Sequence, residues 1–250
     1  MNNPSLIYIP QVKISARFRM ICFPYAGGGS ATYRSWVNNM PENVELALIQ
    51  MPGRASRFTE APYETMAALV NDIFIALNQL TKKELIFYGH SMGACVAYEL
   101  TLKLYRHKCS LPIHVVASGS VAPCVIRTKE PSYKLPTAEF IEYLRDLKGT
   151  TEDVLKNAEI MELLLPSIRA DFKIIETYCN KTTQNIPTNV SVFCGKNDDI
   201  GIDDLSAWLT LFKFNTGIHW FDGGHFFVDD EAENILTALS KIVSSVCNCE

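Results

Sequence analysis

Apolar residues in this chain fall into short continuous runs, separated by longer stretches where they recur every three or four positions. Phe18–Phe23, Leu46–Ile49, Glu84–Tyr88, Ile113–Ser118, Val190–Cys194 and Ile218–Phe221 have the length and composition of strands. Between them Tyr33–Asn39, Tyr63–Leu80, Ala94–Arg106, Leu205–Phe212 and Asn234–Val246 carry helical spacing. Strands alternating with helices call for a mostly parallel sheet covered on both faces. The unbroken apolar character of the strand runs agrees, because a strand buried on both sides has no polar face to display. The fold class expected is α/β.

One stretch breaks the rhythm. From Val121 to Pro187 no convincing strand appears, only amphipathic pieces at Glu139–Leu147 and Val154–Tyr178, interrupted by Pro131, Pro136 and Pro166. Too long for a simple crossover, this insertion reads as a helical lid over the carboxyl edge of the sheet, within a single domain spanning residues 1–250. Ile160, Met161, Leu163, Leu164, Leu165, Ile168, Phe172 and Ile175 either line an acyl pocket or pack the lid onto the body.

Composition narrows the class. A chain of 250 residues that is 48% hydrophobic is large enough for one well-buried core. The net charge of −4 and the lack of any basic block argue against nucleic acid. No apolar run approaches the roughly 18 residues that span a bilayer. The N-terminus has no secretory pattern, so a cytoplasmic location is expected, with the eight cysteines reduced. Cys22, Cys95 and Cys194 lie in apolar patterns and read as small hydrophobes. The pair Cys247 and Cys249 reads as a reduced tail, and neither a metal nor a cofactor is expected.

Chemistry enters at Gly89-His90-Ser91-Met92-Gly93, between a strand run and a helix run. Gly-x-Ser-x-Gly in that setting is a nucleophile elbow: the strand ends, the chain turns through serine, and a helix begins. Alone, the pattern arises by chance in roughly one chain in ten of this length, so further residues must support it. A serine hydroxyl needs a base, and the base a carboxylate; in this fold both follow the serine in sequence. Of five histidines, His90 sits in the elbow facing away, His107 ends a helix, and His114 and His219 lie in strands. That leaves His225, in the loop Asp222-Gly223-Gly224-His225. For the acid, Asp198 in Gly195-Lys196-Asn197-Asp198 is favoured, with Asp199 and Asp222 as rivals. Two N–H donors must hold the oxyanion: that of Met92, after the serine, and that of Ala26, in the glycine-rich loop Phe23-Pro24-Tyr25-Ala26-Gly27-Gly28-Gly29. That loop lacks the lysine of a P-loop and the Gly-x-Gly-x-x-Gly spacing.

These blocks, together with Pro52-Gly53-Arg54, resemble the type II thioesterases that accompany nonribosomal peptide and polyketide synthases. The resemblance runs from Ile21 to about Leu239; Tyr25 stands where that family often has histidine, and Met1–Arg17 lies outside it. It implies an α/β-hydrolase fold and a substrate class, acyl groups thioesterified to the phosphopantetheine arm of acyl or peptidyl carrier proteins. It also implies hydrolysis through an acyl-serine on Ser91, with no partner among nucleic acids or membranes. A medium-chain fatty acyl thioesterase or general esterase is the nearest alternative; a noncatalytic carrier-binding protein is a more distant one. Arg54, Arg57, Arg127, Lys129 and Lys134 are candidates for a basic docking patch for the carrier.

Overall fold

Among the described residues, seven strands form one sheet: β1 (Ile7–Tyr8), β2 (Phe18–Phe23), β3 (Val44–Ile49), β4 (Glu84–His90), β5 (His114–Ser118), β6 (Ile186–Gly195) and β7 (Phe212–Phe221). The structure is a computed structural model and describes residues 5–125, 130–182 and 184–247; Arg127, Lys129 and Cys249 lie outside them. The strand order is β1-β3-β2-β4-β5-β6-β7, antiparallel between β1 and β3 and parallel elsewhere. All of β2, β3 and β5 is buried. Alternate residues of these strands feed two cores. Ile21, Phe23, Phe87, Val115 and Val192 point to one side, under α1 (Met66–Asn78), α2 (Met92–Arg106) and, later in the chain, Leu205 and Trp208. Met20, Cys22, Ile86, Tyr88, Val116 and Phe193 point to the other, against Tyr33, Trp36 and Ile235–Val243. An α/β sheet sealed on both faces is what the apolar runs imply.

The insertion lies between β5 and β6. It contains α3 (Thr137–Leu147), α4 (Glu152–Lys156) and α5 (Ala158–Thr177), and the chain then continues through β6 to α6 (Ile202–Thr210), β7, α7 (Phe227–Asp230) and α8 (Ala232–Cys247). Two details differ from the sequence reading. Val154–Tyr178 is two helices, because Asn157 adopts an extended backbone and its side chain accepts the Ile160 N–H at 3.1 Å, capping α5. Pro166, expected to interrupt, sits inside α5. Both Pro166 and Glu162, whose carbonyl loses its N–H partner, face solvent, where water satisfies that carbonyl. Pro187, placed at the end of the insertion, is already within β6.

The edges were less legible. Ser30–Trp36 is 3-10 rather than α-helical, which eclipses Tyr33 and Trp36 on one buried face. β7 starts earlier than the run Ile218–Phe221, since this edge strand exposes Lys213–Thr216 and so lacks an apolar signature. β1, two residues long, gives no periodic signal.

His114 on β5 is 3% exposed, with Nε2 2.7 Å from Ser191 Oγ. Burial, and then His219, lowers its pKa to about 4 from an ordinary value of 6.5. The unfolded chain therefore takes up the proton first. The stability held by neutral His114 is complete above the ordinary value and is lost as pH falls from there toward the folded value, by about 2 kcal/mol at pH 5. The urea midpoint should fall less steeply between about pH 7.5 and pH 5 in His114→Gln than in the parent; identical slopes would contradict this assignment.

Candidate active site

The direction in which parallel strands are added reverses between β2 and β4: from β2 the chain moves outward to β3, then returns to β4 on the other side. Loops leaving the carboxyl ends of two such strands diverge and open a crevice, the usual ligand position in a sheet of this kind. Here those loops are Pro24–Gly29 and the turn at Ser91, brought together by the pairing of Phe23 with Gly89.

Ser91 sits at φ 54°, ψ −114°, a conformation a non-glycine residue adopts at a cost of about 1–3 kcal/mol. The surroundings enforce it. Its N–H donates to Ser118 O at 2.8 Å, and its carbonyl accepts from Ala94 N–H at 3.1 Å. A Cβ on Gly89 would lie 2.2 Å from Gly93 O, and one on Gly93 only 2.1 Å from Phe23 O. The elbow glycines are thus required by backbone-to-backbone contact. The result places the first N–H groups of α2 beside the Pro24–Gly29 loop.

The loops after β6 and β7 supply the other two groups. His225 Nε2 lies 3.0 Å from Ser91 Oγ, and His225 Nδ1 lies 3.0 Å from Asp198 Oδ2. A carboxylate can only accept, so Nδ1 carries the proton and Nε2 is left to accept from the Ser91 hydroxyl. Asp198 has a side chain only 6% exposed, whereas Asp199 faces solvent. Asp222 turns outward to Lys196 Nζ at 2.5 Å. The two loops interlock: Lys196 N–H donates to Phe221 O and Asn197 N–H to Gly223 O, both at 2.9 Å. A Cβ on Gly195 would strike Gly224 O at 2.4 Å.

His90 does face away from Ser91, but it has a use the sequence did not reveal. It is fully buried, with Nε2 2.9 Å from the carbonyl of His225 and Nδ1 2.9 Å from Ser118 Oγ. Tyr88 OH in turn donates to Ser118 Oγ at 3.0 Å. The carbonyl fixes the proton on Nε2, so Nδ1 accepts from Ser118. Burial, then the nearby His225, holds the His90 pKa well below the ordinary histidine range, which keeps this relay neutral. His90 thereby pins the backbone of His225. Alternation along β4 was the available signal, since it sends His90 into the core like Tyr88.

Among the described residues neither the Met92 nor the Ala26 N–H has a protein acceptor, while the neighbouring Gly27 N–H donates to Asp171 Oδ2 at 2.8 Å. Two free donors beside a serine hydroxyl can hold an oxyanion. The insertion touches both sides of the site. Ile168 of α5 lies 3.7 Å from a Cβ built on Gly27, and Phe226, next to His225, packs against Gly149. Tyr25 stacks edge-on with His90 and Phe226 at centroid distances of 5.8 and 5.0 Å.

One expectation needs correction. Arg54 and Arg57 are not part of a docking patch: both are buried, Arg54 paired with Asp171 at 2.7 Å and Arg57 with Glu60 at 2.5 Å. Of the five basic candidates only Lys134 is both described and exposed. Of the two roles open to the apolar insertion residues, packing holds for most. Met161, Leu165, Ile168 and Phe172 form a satellite core with Phe140, Leu144 and Leu155, Ile175 joins the main core, and Ile160 and Leu163 face solvent. Among the described residues, no cluster of three or more His, Cys, Asp or Glu could hold a metal, and no helix is long and apolar enough to cross a membrane.

The contact at Gly93 gives a direct check. Gly93→Ala must push α2 from Phe23, at a cost of about 1–3 kcal/mol. It should lower the thermal midpoint and cut esterase turnover more than tenfold (about that order for a misplaced donor). Wild-type stability and turnover would show that the packing is not tight.

A thioesterase-domain family model matches residues 18–243. The gramicidin S biosynthesis protein GrsT of Aneurinibacillus migulanus is 33% identical over 231 residues, covering 92% of this chain and 90% of that protein. The linear gramicidin dehydrogenase LgrE of Brevibacillus parabrevis is 32% identical over 94% of this chain and 91% of its own length. Its name denotes another chemistry, but the present chain has no Gly-x-Gly-x-x-Gly turn for a dinucleotide. The type II thioesterase BorB from the borrelidin biosynthetic cluster superposes with a TM-score of 0.87 at 27% identity, covering 96% of this chain and 98% of that one. The serine elbow, the parallel sheet and these relatives agree: the chain belongs to the thioesterase family.

Proposed function

We propose that this chain is a type II, editing thioesterase: one cytoplasmic α/β-hydrolase domain with a lid at about residues 121–187. Its substrates are acyl or aminoacyl thioesters on the phosphopantetheine arm of carrier proteins in nonribosomal peptide or polyketide synthesis. The observation that carries this reading is the line Ser91–His225–Asp198, with both hydrogen bonds at 3.0 Å, beside two unused backbone N–H groups. The names of GrsT, a gramicidin S biosynthesis protein, and BorB, a type II thioesterase from the borrelidin biosynthetic cluster, support the substrate class.

In this reading Ser91 Oγ attacks the thioester carbonyl as His225 Nε2 takes its proton. Asp198 holds the imidazole in the required tautomer and stabilises the imidazolium. The N–H groups of Met92 and Ala26 receive the oxyanion; each such donor is worth about 2.7–4 kcal/mol in the transition state. The C–S bond then breaks, and the pantetheine sulfur leaves as a thiol with the proton from His225. Water, deprotonated by His225, attacks the acyl-serine; the second tetrahedral intermediate collapses to a free acid and regenerates Ser91. No metal or cofactor takes part.

Ser91→Ala should lose at least about 10³-fold in kcat and Asp198→Asn about 10²–10⁴-fold, with folding retained, while Asp199→Asn stays within about twofold. Near-normal turnover in Ser91→Ala, or equal losses at Asp198 and Asp199, would refute the roles. Purified enzyme should also hydrolyse short acyl- and aminoacyl-loaded carriers faster than the same acyl groups on coenzyme A or as oxygen esters. A preference for medium-chain fatty acyl groups, whatever the carrier, would favour the fatty acyl reading instead.

A further inference from the structure

One buried ion pair has no part in the chemistry above. Arg54, in the turn after β3, and Asp171, in α5, meet with Nη1 2.7 Å from Oδ2, and their side chains are 8% and 1% exposed. The same two atoms also grip the Pro24–Gly29 loop. Asp171 Oδ2 accepts the Gly27 N–H at 2.8 Å, and Arg54 Nη1 donates to Gly28 O at 2.7 Å. Arg54 Nη2 reaches back to Ser167 O on α5 at 3.3 Å. Two consecutive residues of the loop are therefore held, one by its N–H and one by its carbonyl, with charge-assisted bonds at both points. The Ala26 N–H lies one residue before the first of these anchors. Gly27, at φ +83°, fixes the direction of the turn between them.

The pair is poorly arranged for stability alone. Arg54 Nε and Asp171 Oδ1 are buried with no hydrogen-bond partner among the described residues. Burial also raises the Asp171 carboxyl above its ordinary range, against the pull of Arg54 and the Gly27 N–H. An incompletely satisfied buried pair generally stabilises no better than apolar residues of equal volume. Apolar residues could not, however, orient peptide groups. The turn that carries Arg54 packs tightly on α5: a Cβ on Gly53 would lie 2.9 Å from Ser167 Cβ.

We infer that Asp171 and Arg54 are positioning residues that hold the Ala26 N–H in line with that of Met92, so the oxyanion hole is complete only when the lid helix α5 is seated. This rests on the reading of those two N–H groups as the oxyanion donors. It makes the lid a structural component of the hole, and it assigns Arg54 of the Pro-Gly-Arg block to catalytic geometry rather than to carrier docking.

The test uses the intact enzyme with Asp171→Asn and Arg54→Lys, each nearly isosteric and each removing part of the grip. kcat and KM are measured on a small acyl N-acetylcysteamine thioester. The inhibition constant of an alkylboronic acid, which forms a tetrahedral adduct on Ser91, is measured alongside thermal midpoints. Expected are a fall in kcat of about 10- to 100-fold with KM within about threefold, and a boronate affinity weakened by the same factor as kcat/KM. Rate–pH profiles should keep the parent's shape, because His225 and Asp198 are untouched. A folded variant with parental kcat and boronate affinity overturns the inference, as does a loss confined to KM. Both variants unfolding at 25 °C would also overturn it, by showing that the pair serves the global fold. Failure of the wild-type enzyme to hydrolyse the thioester or bind the boronate would instead refute the reading of the site.

Discussion

The whole site depends on one close backbone contact, that of the α2 N-terminus with the end of β2 at Gly93 and Phe23. Only glycine allows this approach, since a Cβ would lie 2.1 Å from the Phe23 carbonyl oxygen. The contact sets the α2 N-terminus, with the free Met92 N–H, against the loop after β2, which carries the free Ala26 N–H. Ser91, in the turn between β4 and α2, is held in a strained conformation with its hydroxyl 3.0 Å from His225 Nε2. The strain persists because the Ser118 carbonyl on β5 and the paired strands on either side leave the turn no alternative.

Around that fixed point the other groups are held by loop-to-loop contacts rather than by long side-chain reach. The loops after β6 and β7 interlock through glycines and backbone hydrogen bonds, so the Asp198–His225 distance follows from the pairing of those strands. His90 adds a second restraint from behind, and its neutrality matters. In the proposed mechanism a charged imidazole next to His225 would oppose formation of the imidazolium. The insertion closes the assembly from above, touching the Ala26 side through Ile168 and the His225 side through Gly149 and Phe226.

Much of this was legible in the sequence because the strongest signals came from strands buried on both faces and from glycines required by contact. Ser91, Asp198 and His225 were identified from spacing and order, and the structure brings all three together. What escaped was long-range or edge-dependent. β1 and the first half of β7 are too short or too polar to give a periodic signal. Asn157 splits a helix through a cap invisible to apolar spacing, and exposed Pro166 is tolerated because its lost bond faces water. Arg54 looked like a surface charge, since its partner Asp171 is far away in sequence and only folding brings them together.

The central claim, that Ser91 alone carries the acyl group, is tested most directly by active-site titration with a fluorophosphonate. The account expects one phosphonyl group per chain, located on Ser91 by peptide mass analysis, with turnover of an acyl-loaded carrier lost in proportion to labelling. Label on another residue, or full turnover by a chain phosphonylated at Ser91, would contradict it.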